Sequence, residues 1–172
     1  AIPQLQADNA LLKDRVFVDT LTRAYTREYL AQRSALEMAQ SRESGSPLYF
    51  VIFDLDKFKR INDELGHVDG DNALRQLSQV TKGVVRKADV FARFGGDEFV
   101  LLLPNISESN ALHLVERVRE GINAITISGV SLSSSFGVTL MQQNDTLETL
   151  IQRADRALYT SKEKGGNTIT LK

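Results

Sequence analysis

The sequence predicts an α+β fold built on a β-α-β-β-α-β core, and three observations carry that prediction. Two apolar runs, Val90 to Phe94 and Phe99 to Leu103, flank the pair Gly95-Gly96, the pattern of a β-hairpin whose turn needs dihedrals that favour glycine. An apolar run from Tyr49 to Phe53 precedes this hairpin, and a strand-like stretch from Val130 to Leu140 follows it. Helical periodicity fills the gap on each side.

Taken in order, the chain opens with Ile2, Leu5, Leu12 and Val16, and Asn9 completes a three-four spacing. That is a heptad seam with one polar a-type position, a device that sets register in coiled coils. It covers only about two heptads, fewer than the three or four that define a coiled coil. The end of a signalling stalk over residues 1–18 and a solvent-frayed helix are both open readings. Leu21 to Gln40 reads as an amphipathic helix, ended by Ser44-Gly45-Ser46-Pro47. Leu48 to Phe53 is a strand, followed by an Asp-rich loop and a helix from about Gly70 to Arg86. The hairpin of Val90 to Leu103 stops at Pro104-Asn105, and a helix then presents Leu112, Val115, Val118 and Ile122 on one face. In the strand Val130 to Leu140, Leu132, Ser134, Phe136 and Val138 alternate with Ser131, Ser133, Ser135 and Gly137. Thr146 to Lys162 is a last helix, with Thr146 as N-cap and Glu148 in the first turn. Thr168 to Leu171 adds an edge strand. The order is that of a ferredoxin-like core carrying an extra C-terminal helix and edge strand, with a helical stalk remnant ahead of it.

With 172 residues, 42% apolar and 25% charged, the chain has the composition of one globular domain over 19–172 plus a short appendage. A net charge of -1 gives no basic face for a nucleic acid polymer. Without cysteine there is neither a disulfide nor a thiolate metal site. No apolar run reaches membrane-spanning length and no secretory signal is visible, so a cytoplasmic domain is expected. A start at Ala1 rather than Met leads us to expect a piece of a longer protein, tied to a membrane only through a missing N-terminal region, if at all.

In a core of this order the third strand lies between the first and second, antiparallel to both. The end of the first strand, at Asp54 and Asp56, then adjoins the start of the third, at Asp97 and Glu98, more than forty positions away. Carboxylates this close repel one another unless a cation neutralises them. An all-oxygen ligand set with room for phosphate and water suits Mg²⁺.

Three segments occur in order: Asp54-Leu55-Asp56-Lys57-Phe58-Lys59-Arg60-Ile61-Asn62-Asp63, Gly66-His67-Val68-Asp69-Gly70-Asp71 and Arg93-Phe94-Gly95-Gly96-Asp97-Glu98-Phe99. With Ala154-Asp155-Arg156-Ala157-Leu158-Tyr159 and Lys162, they resemble the GGDEF family of diguanylate cyclases, from about Asp19 to the end. The resemblance implies a palm-like nucleotidyl-cyclase fold and condensation of two GTP into cyclic di-GMP with release of two pyrophosphates. It implies that Asp54, Asp97, Glu98 and the Leu55 carbonyl hold Mg²⁺ (or Mn²⁺), with Asp97 accepting the proton of the attacking 3′-hydroxyl or orienting it. Gly95 and Gly96 would let backbone approach the nucleotide, and they also suit a plain turn. Asn62 and Asp71 match the family's guanine readers; an Asx turn and an N-cap are their alternative roles. Phe58 and His67 sit at substrate-binding positions, His67 alternatively stabilising its loop, while Lys59 and Lys162 are phosphate ligands or solvated surface charges.

Arg86-Lys87-Ala88-Asp89 matches the family's RxxD product-inhibition motif, with Arg117 as a further arginine supplied by a neighbouring molecule; the alternative is an i,i+3 ion pair. Gly166 stands where the family commonly has a phosphate-binding arginine, Arg23 where glycine is common and Thr26 where asparagine is common. One domain offers one set of guanine contacts, so joining two GTP needs a homodimer with facing half-sites. Alternatives are a catalytically idle module that senses cyclic di-GMP or GTP, and a nucleotidyl cyclase or palm-like polymerase acting on another nucleotide. A phosphodiesterase built on several histidines is disfavoured, since the chain has only His67 and His113.

Overall fold

The computed structural model describes residues 17–172. The heptad from Ile2 to Val16 lies outside the described residues. The elements are α1 (Arg27–Ser44), β1 (Leu48–Leu55), α2 (Phe58–Leu65), α3 (His67–Val84), β2 (Val90–Gly95), β3 (Glu98–Pro104) and α4 (Glu108–Asn123). They continue with β4 (Thr126–Ile127), β5 (Val130–Ser131), β6 (Ser134–Leu140), α5 (Leu147–Glu163) and β7 (Ile169–Leu171).

The main sheet has the order β2-β3-β1-β6-β7. As expected of the ferredoxin-like arrangement, β3 lies between β1 and β2 and is antiparallel to both. β6 is antiparallel to β1, and the added edge strand β7 runs parallel to β6. Apolar residues on alternate sides of the strands feed two cores. On one face, Val51, Phe53, Phe99, Leu101 and Phe136 pack with Leu74 and Leu77 of α3 and Val115 and Val118 of α4. On the other, Phe50, Ile52, Val100 and Leu102 pack with Leu30 and Met38 of α1 and Leu150 and Leu158 of α5. Phe53 sits at the centre of the first core, with ring centroids of Phe91, Phe99 and Phe136 at 6.2, 5.7 and 4.9 Å.

The first helix begins later than its apolar pattern suggests. Thr26 caps it, its side chain accepting from the Tyr29 N–H, and Gly45 ends it in the left-handed region at φ +77°. The preceding residues form a turn instead, because the Asp19 carboxylate accepts from both the N–H and the hydroxyl of Thr22. Arg23 has φ +64° in that turn, a left-handed conformation that usually favours glycine.

The loop expected after β1 is largely helical, which corrects two readings. Asn62 lies inside α2 rather than in an Asx turn, and Asp71 lies one turn inside α3 rather than at its N-cap. Gly66, at φ +92°, is the joint: it ends α2 and starts α3 in a single residue, a change of direction that the polar composition hid.

The long strand expected over Val130 to Leu140 is two strands. Ser128 and Gly129, at φ +46° and +80°, make a tight turn that pairs β5 with the short β4, and only β6 enters the main sheet. Nor does β6 keep a solvent face. Ser134, Ser135, Phe136, Gly137, Val138 and Thr139 are all buried, because α5 covers the side opposite the first core. A Cβ on Gly137 would sit 2.1 Å from the Ala154 carbonyl oxygen, so glycine is what lets α5 lie this close.

Candidate active site

Strand register creates the centre of the site. Asp54, at the end of β1, is paired directly with Glu98, at the start of β3, and both project onto the face covered by α1 and α5. Strand pairing thus turns two distant sequence positions into neighbours. Asp54 is only 6% exposed, and Lys162 reaches down from α5 to place Nζ 2.7 Å from its Oδ2. The other oxygen, Oδ1, is buried without a hydrogen-bond partner among the described residues. Burial pushes the Asp54 carboxyl from an ordinary value of 3.8 up to about 6; Lys162 pulls it down, and Asp97 and Asp56 add repulsion. Glu98 is also raised, first by burial and then by Asp155 and Asp97. Lys162 is itself raised, as its carboxylate partners outweigh the burial that opposes its charge.

Asp97 sits at the hairpin tip, between Gly96 at φ +45° and Glu98. Open space surrounds the points where Cβ atoms of Gly95 and Gly96 would lie, so the fold leaves that approach clear. Arg93 braces the tip, donating from Nε to the Gly96 carbonyl at 2.9 Å and pairing with Asp19 at 3.2 Å. Nothing in the sequence pattern alone pointed to that brace.

Asn62 is seated against α3 at Gly70, the residue before the exposed Asp71, through the close contact of α2 with α3. A Cβ on Gly70 would fall 1.9 Å from Asn62 Oδ1, so the bare backbone at Gly70 is what seats this amide beside the turn carrying Asp71. Phe58 packs at the same junction, 3.6 Å from that Cβ position, while Lys59 and His67 are exposed at the starts of α2 and α3. The Leu55 side chain is in the core, which leaves only its main chain for a ligand.

Asp56 departs from the expected acidic cluster. Its oxygens accept from the hydroxyls of Ser133 and Ser135 at 2.6 and 2.5 Å and from the Asn167 N–H at 2.8 Å. Among the described residues no three His, Cys, Asp or Glu side chains converge as a ready-made metal cage. The donor set still fits a divalent cation. A buried carboxylate oxygen lacks a partner, a second carboxyl stands opposite it, and an ammonium already occupies the neighbouring oxygen.

Arg86 and Asp89 lie at the other end of the β2–β3 hairpin. The Asp89 side chain is fully buried, and its Oδ1 accepts from Arg86 Nη2 at 2.6 Å while its Oδ2 accepts from the Arg86 N–H at 2.7 Å. Arg86 also donates to the Pro104 carbonyl at 2.7 Å. Arg117, on the exposed side of α4, makes no ion pair with Asp89 among the described residues.

Carboxylates at adjoining ends of the two central strands of a ferredoxin-like core, facing a helix-borne lysine, define a palm-like nucleotidyl-cyclase architecture. The chain belongs to the GGDEF family: residues 16–168 match the family described as "Diguanylate cyclase, GGDEF domain". It is 37% identical over 164 residues to the diguanylate cyclase DosC of Escherichia coli, covering 92% of this chain and 36% of that protein. Among solved structures it resembles the diguanylate cyclase SiaD of Pseudomonas aeruginosa, crystallised with its activator SiaC, at TM-score 0.90 and 31% identity. That match covers 99% of this chain and 68% of the other. It also resembles the GGDEF domain of DgcB from Caulobacter crescentus in complex with c-di-GMP, at TM-score 0.85 and 26% identity, over 90% and 92% of the two chains. The chain therefore spans about a third of the length of that curated relative.

Proposed function

We propose that this domain is a diguanylate cyclase, condensing two GTP into cyclic di-GMP and two pyrophosphates. The observation that carries the reading is the pairing of buried Asp54, one carboxylate oxygen of which has no partner among the described residues, with half-buried Glu98, beneath the open tip that bears Asp97. Asp54, Glu98, Asp97 and the Leu55 carbonyl would hold Mg²⁺ (or Mn²⁺), which when bound supplies charge neutralisation at the phosphates and acidifies a nearby hydroxyl. Asn62 and Asp71 would read the guanine edge, an amide and a carboxylate complementing acceptor and donor groups that adenine does not offer. Lys162 and Lys59 take the phosphate charge, and Gly95-Gly96 allow the backbone to lie against the nucleotide. Asp97 orients the 3′-hydroxyl or accepts its proton during attack on the α-phosphorus. One domain holds one GTP, so two domains face each other in a homodimer. Cyclic di-GMP at Arg86 and Asp89, with Arg117 of a neighbouring molecule, would hold two domains apart and inhibit. The domain works in the cytoplasm.

Gly166, in place of an arginine, favours a second reading, a catalytically idle module that binds cyclic di-GMP or GTP. Concentrated protein, stripped of bound nucleotide and incubated with Mg²⁺ and GTP beside an Asp97→Ala control, separates the two. We expect cyclic di-GMP from the wild type only. No product, with cyclic di-GMP still bound, would support the idle module instead.

A further inference from the structure

We propose that Asp56 is a positioning residue that clasps the Gly165–Asn167 loop to the end of β1 and so fixes where Lys162 presents its ammonium. The inference rests on the reading of the neighbouring site as a nucleotide site.

Asp56 follows Asp54 by two residues and lies on the same side of the chain, yet it is committed to protein donors. The hydroxyls of Ser133, just before β6, and Ser135, within it, and one backbone N–H from the loop after α5 converge on its two oxygens. Its own N–H donates to the Ser133 carbonyl at 2.8 Å, so main chain and side chain bind the same segment. Asn167 closes the clasp from the other side. Its N–H is shared with the Ser135 hydroxyl at 3.1 Å, and its side-chain oxygen accepts from Arg119 of α4 at 2.8 Å. Arg119 is in turn held by Glu116. Charge-assisted bonds of this kind are the strong ones, and a carboxylate with three donors has little left for a cation.

The loop between is wound tightly. Gly165, Gly166 and Asn167 have φ +106°, +79° and +50°, three successive residues in the region that L side chains rarely adopt. The Gly165 N–H donates to the Lys162 carbonyl at 3.0 Å and the Gly166 N–H to the Ser161 carbonyl at 3.1 Å. The clasp is thus linked by two short steps to the backbone of the very residue whose Nζ meets Asp54. Gly166 is part of this device. A Cβ there would stand 3.0 Å from Cγ, Oδ1 and Oδ2 of Asp56 alike, so a side chain at this position presses the Asp56 carboxylate back by a few tenths of an ångström as well as straining the backbone. The glycine thus lets the loop lie against the Asp56 carboxylate with neither cost.

The test compares Asp56→Asn, Ser135→Ala and Gly166→Ala with the control Gly45→Ala. Gly45 has a similar φ of +77° but open space around its Cβ position, so its variant carries the backbone strain without the contact. Steady-state kinetics with GTP and Mg²⁺ are read beside amide exchange of residues 163–168 in nucleotide-free protein. Asp56→Asn and Gly166→Ala are expected to raise KM for GTP about tenfold, the effect of losing one charge-assisted bond, with kcat changed much less. Exchange at 165–167 should quicken about tenfold in both, and Ser135→Ala, which removes one hydroxyl only, should show a smaller rise in each. Gly45→Ala should lose stability with KM unchanged. An unaltered KM and unaltered exchange in Asp56→Asn would overturn the proposal. So would a collapse of kcat at constant KM, which would place Asp56 among the groups that touch the reacting atoms. If the wild type neither binds nor turns over GTP, the nucleotide reading fails, while the exchange data still decide whether Asp56 holds the loop.

Discussion

Replacing Asp54 by asparagine should make the metal-free protein more stable at pH 8 while abolishing its chemistry. Asp54 is 6% exposed, one oxygen lacks a partner, and its carboxyl is pushed up to about 6 from 3.8. The folded state therefore holds its proton more tightly than the unfolded chain. Stability from this group is fully present below about pH 4 and is lost as pH rises through about 6. At roughly 1.4 kcal/mol per pH unit, keeping Asp54 ionised in its buried place costs about 3 kcal/mol. Asparagine keeps the shape and removes the charge. Lys162 loses its partner, but its side chain is 45% exposed, so water takes over the ammonium at small cost. Allowing for relaxation of the site, a net gain of about 2 kcal/mol, or roughly 4–8 °C in Tm, is expected at pH 8 in EDTA. The gain should shrink through pH 6 and vanish near pH 4. Mg²⁺ should raise the Tm of the wild type and leave that of Asp54→Asn unchanged, because a cation is what the buried carboxylate lacks. Thermal melts by circular dichroism across this range are the assay. An asparagine variant that is less stable than wild type at pH 8, or a difference that does not change with pH, would refute the reasoning.

Three other outcomes follow from particular contacts. Gly70→Ala drives a methyl into the Asn62 amide, so KM for GTP should rise at least about tenfold and selectivity over ATP should fall, as measured by competition kinetics. Gly137→Ala forces a methyl against the α5 backbone at Ala154 and Leu158, where nothing flexible can yield; chemical denaturation should show a loss of about 3 kcal/mol or more. Arg86→Ala leaves the fully buried Asp89 carboxylate with only a backbone donor from that residue, and should cost about 2–3 kcal/mol by urea titration while removing inhibition by added cyclic di-GMP. Loss of inhibition without loss of stability would mean that Arg86 contributes little to the fold.

The order of strands and helices was legible because each strand is a run of apolar residues bounded by turn formers, and because Gly95-Gly96 can serve little but a turn. The hairpin, the capping role of Thr146 and the existence of a last strand near the C-terminus follow from local chemistry, whereas its parallel pairing with β6 does not. The helical start of the β1–α3 connection was not legible. Its residues, Phe58 to Leu65, are mostly polar, and the joint at Gly66 is a single residue whose φ of +92° shows only in three dimensions. The short β4–β5 ribbon was missed for a related reason, since Ser128-Gly129 signals a turn but two-residue strands carry no periodicity.

The sequence by itself singled out the side chains proposed here for the chemistry: the carboxylates Asp54, Asp97 and Glu98, the candidate guanine readers Asn62 and Asp71, and the candidate phosphate ligands Lys59 and Lys162. Tertiary structure alone decided how those groups are shared out. Asp54 and Asp56 are equivalent in a linear reading, two carboxylates two positions apart. Burial beneath α5 leaves Asp54 short of a partner and open to a cation, whereas Ser133, Ser135 and Asn167 saturate Asp56 and make it part of the scaffold. The difference lies in which donors the fold delivers to each carboxylate, and those donors come from segments of chain more than seventy residues away.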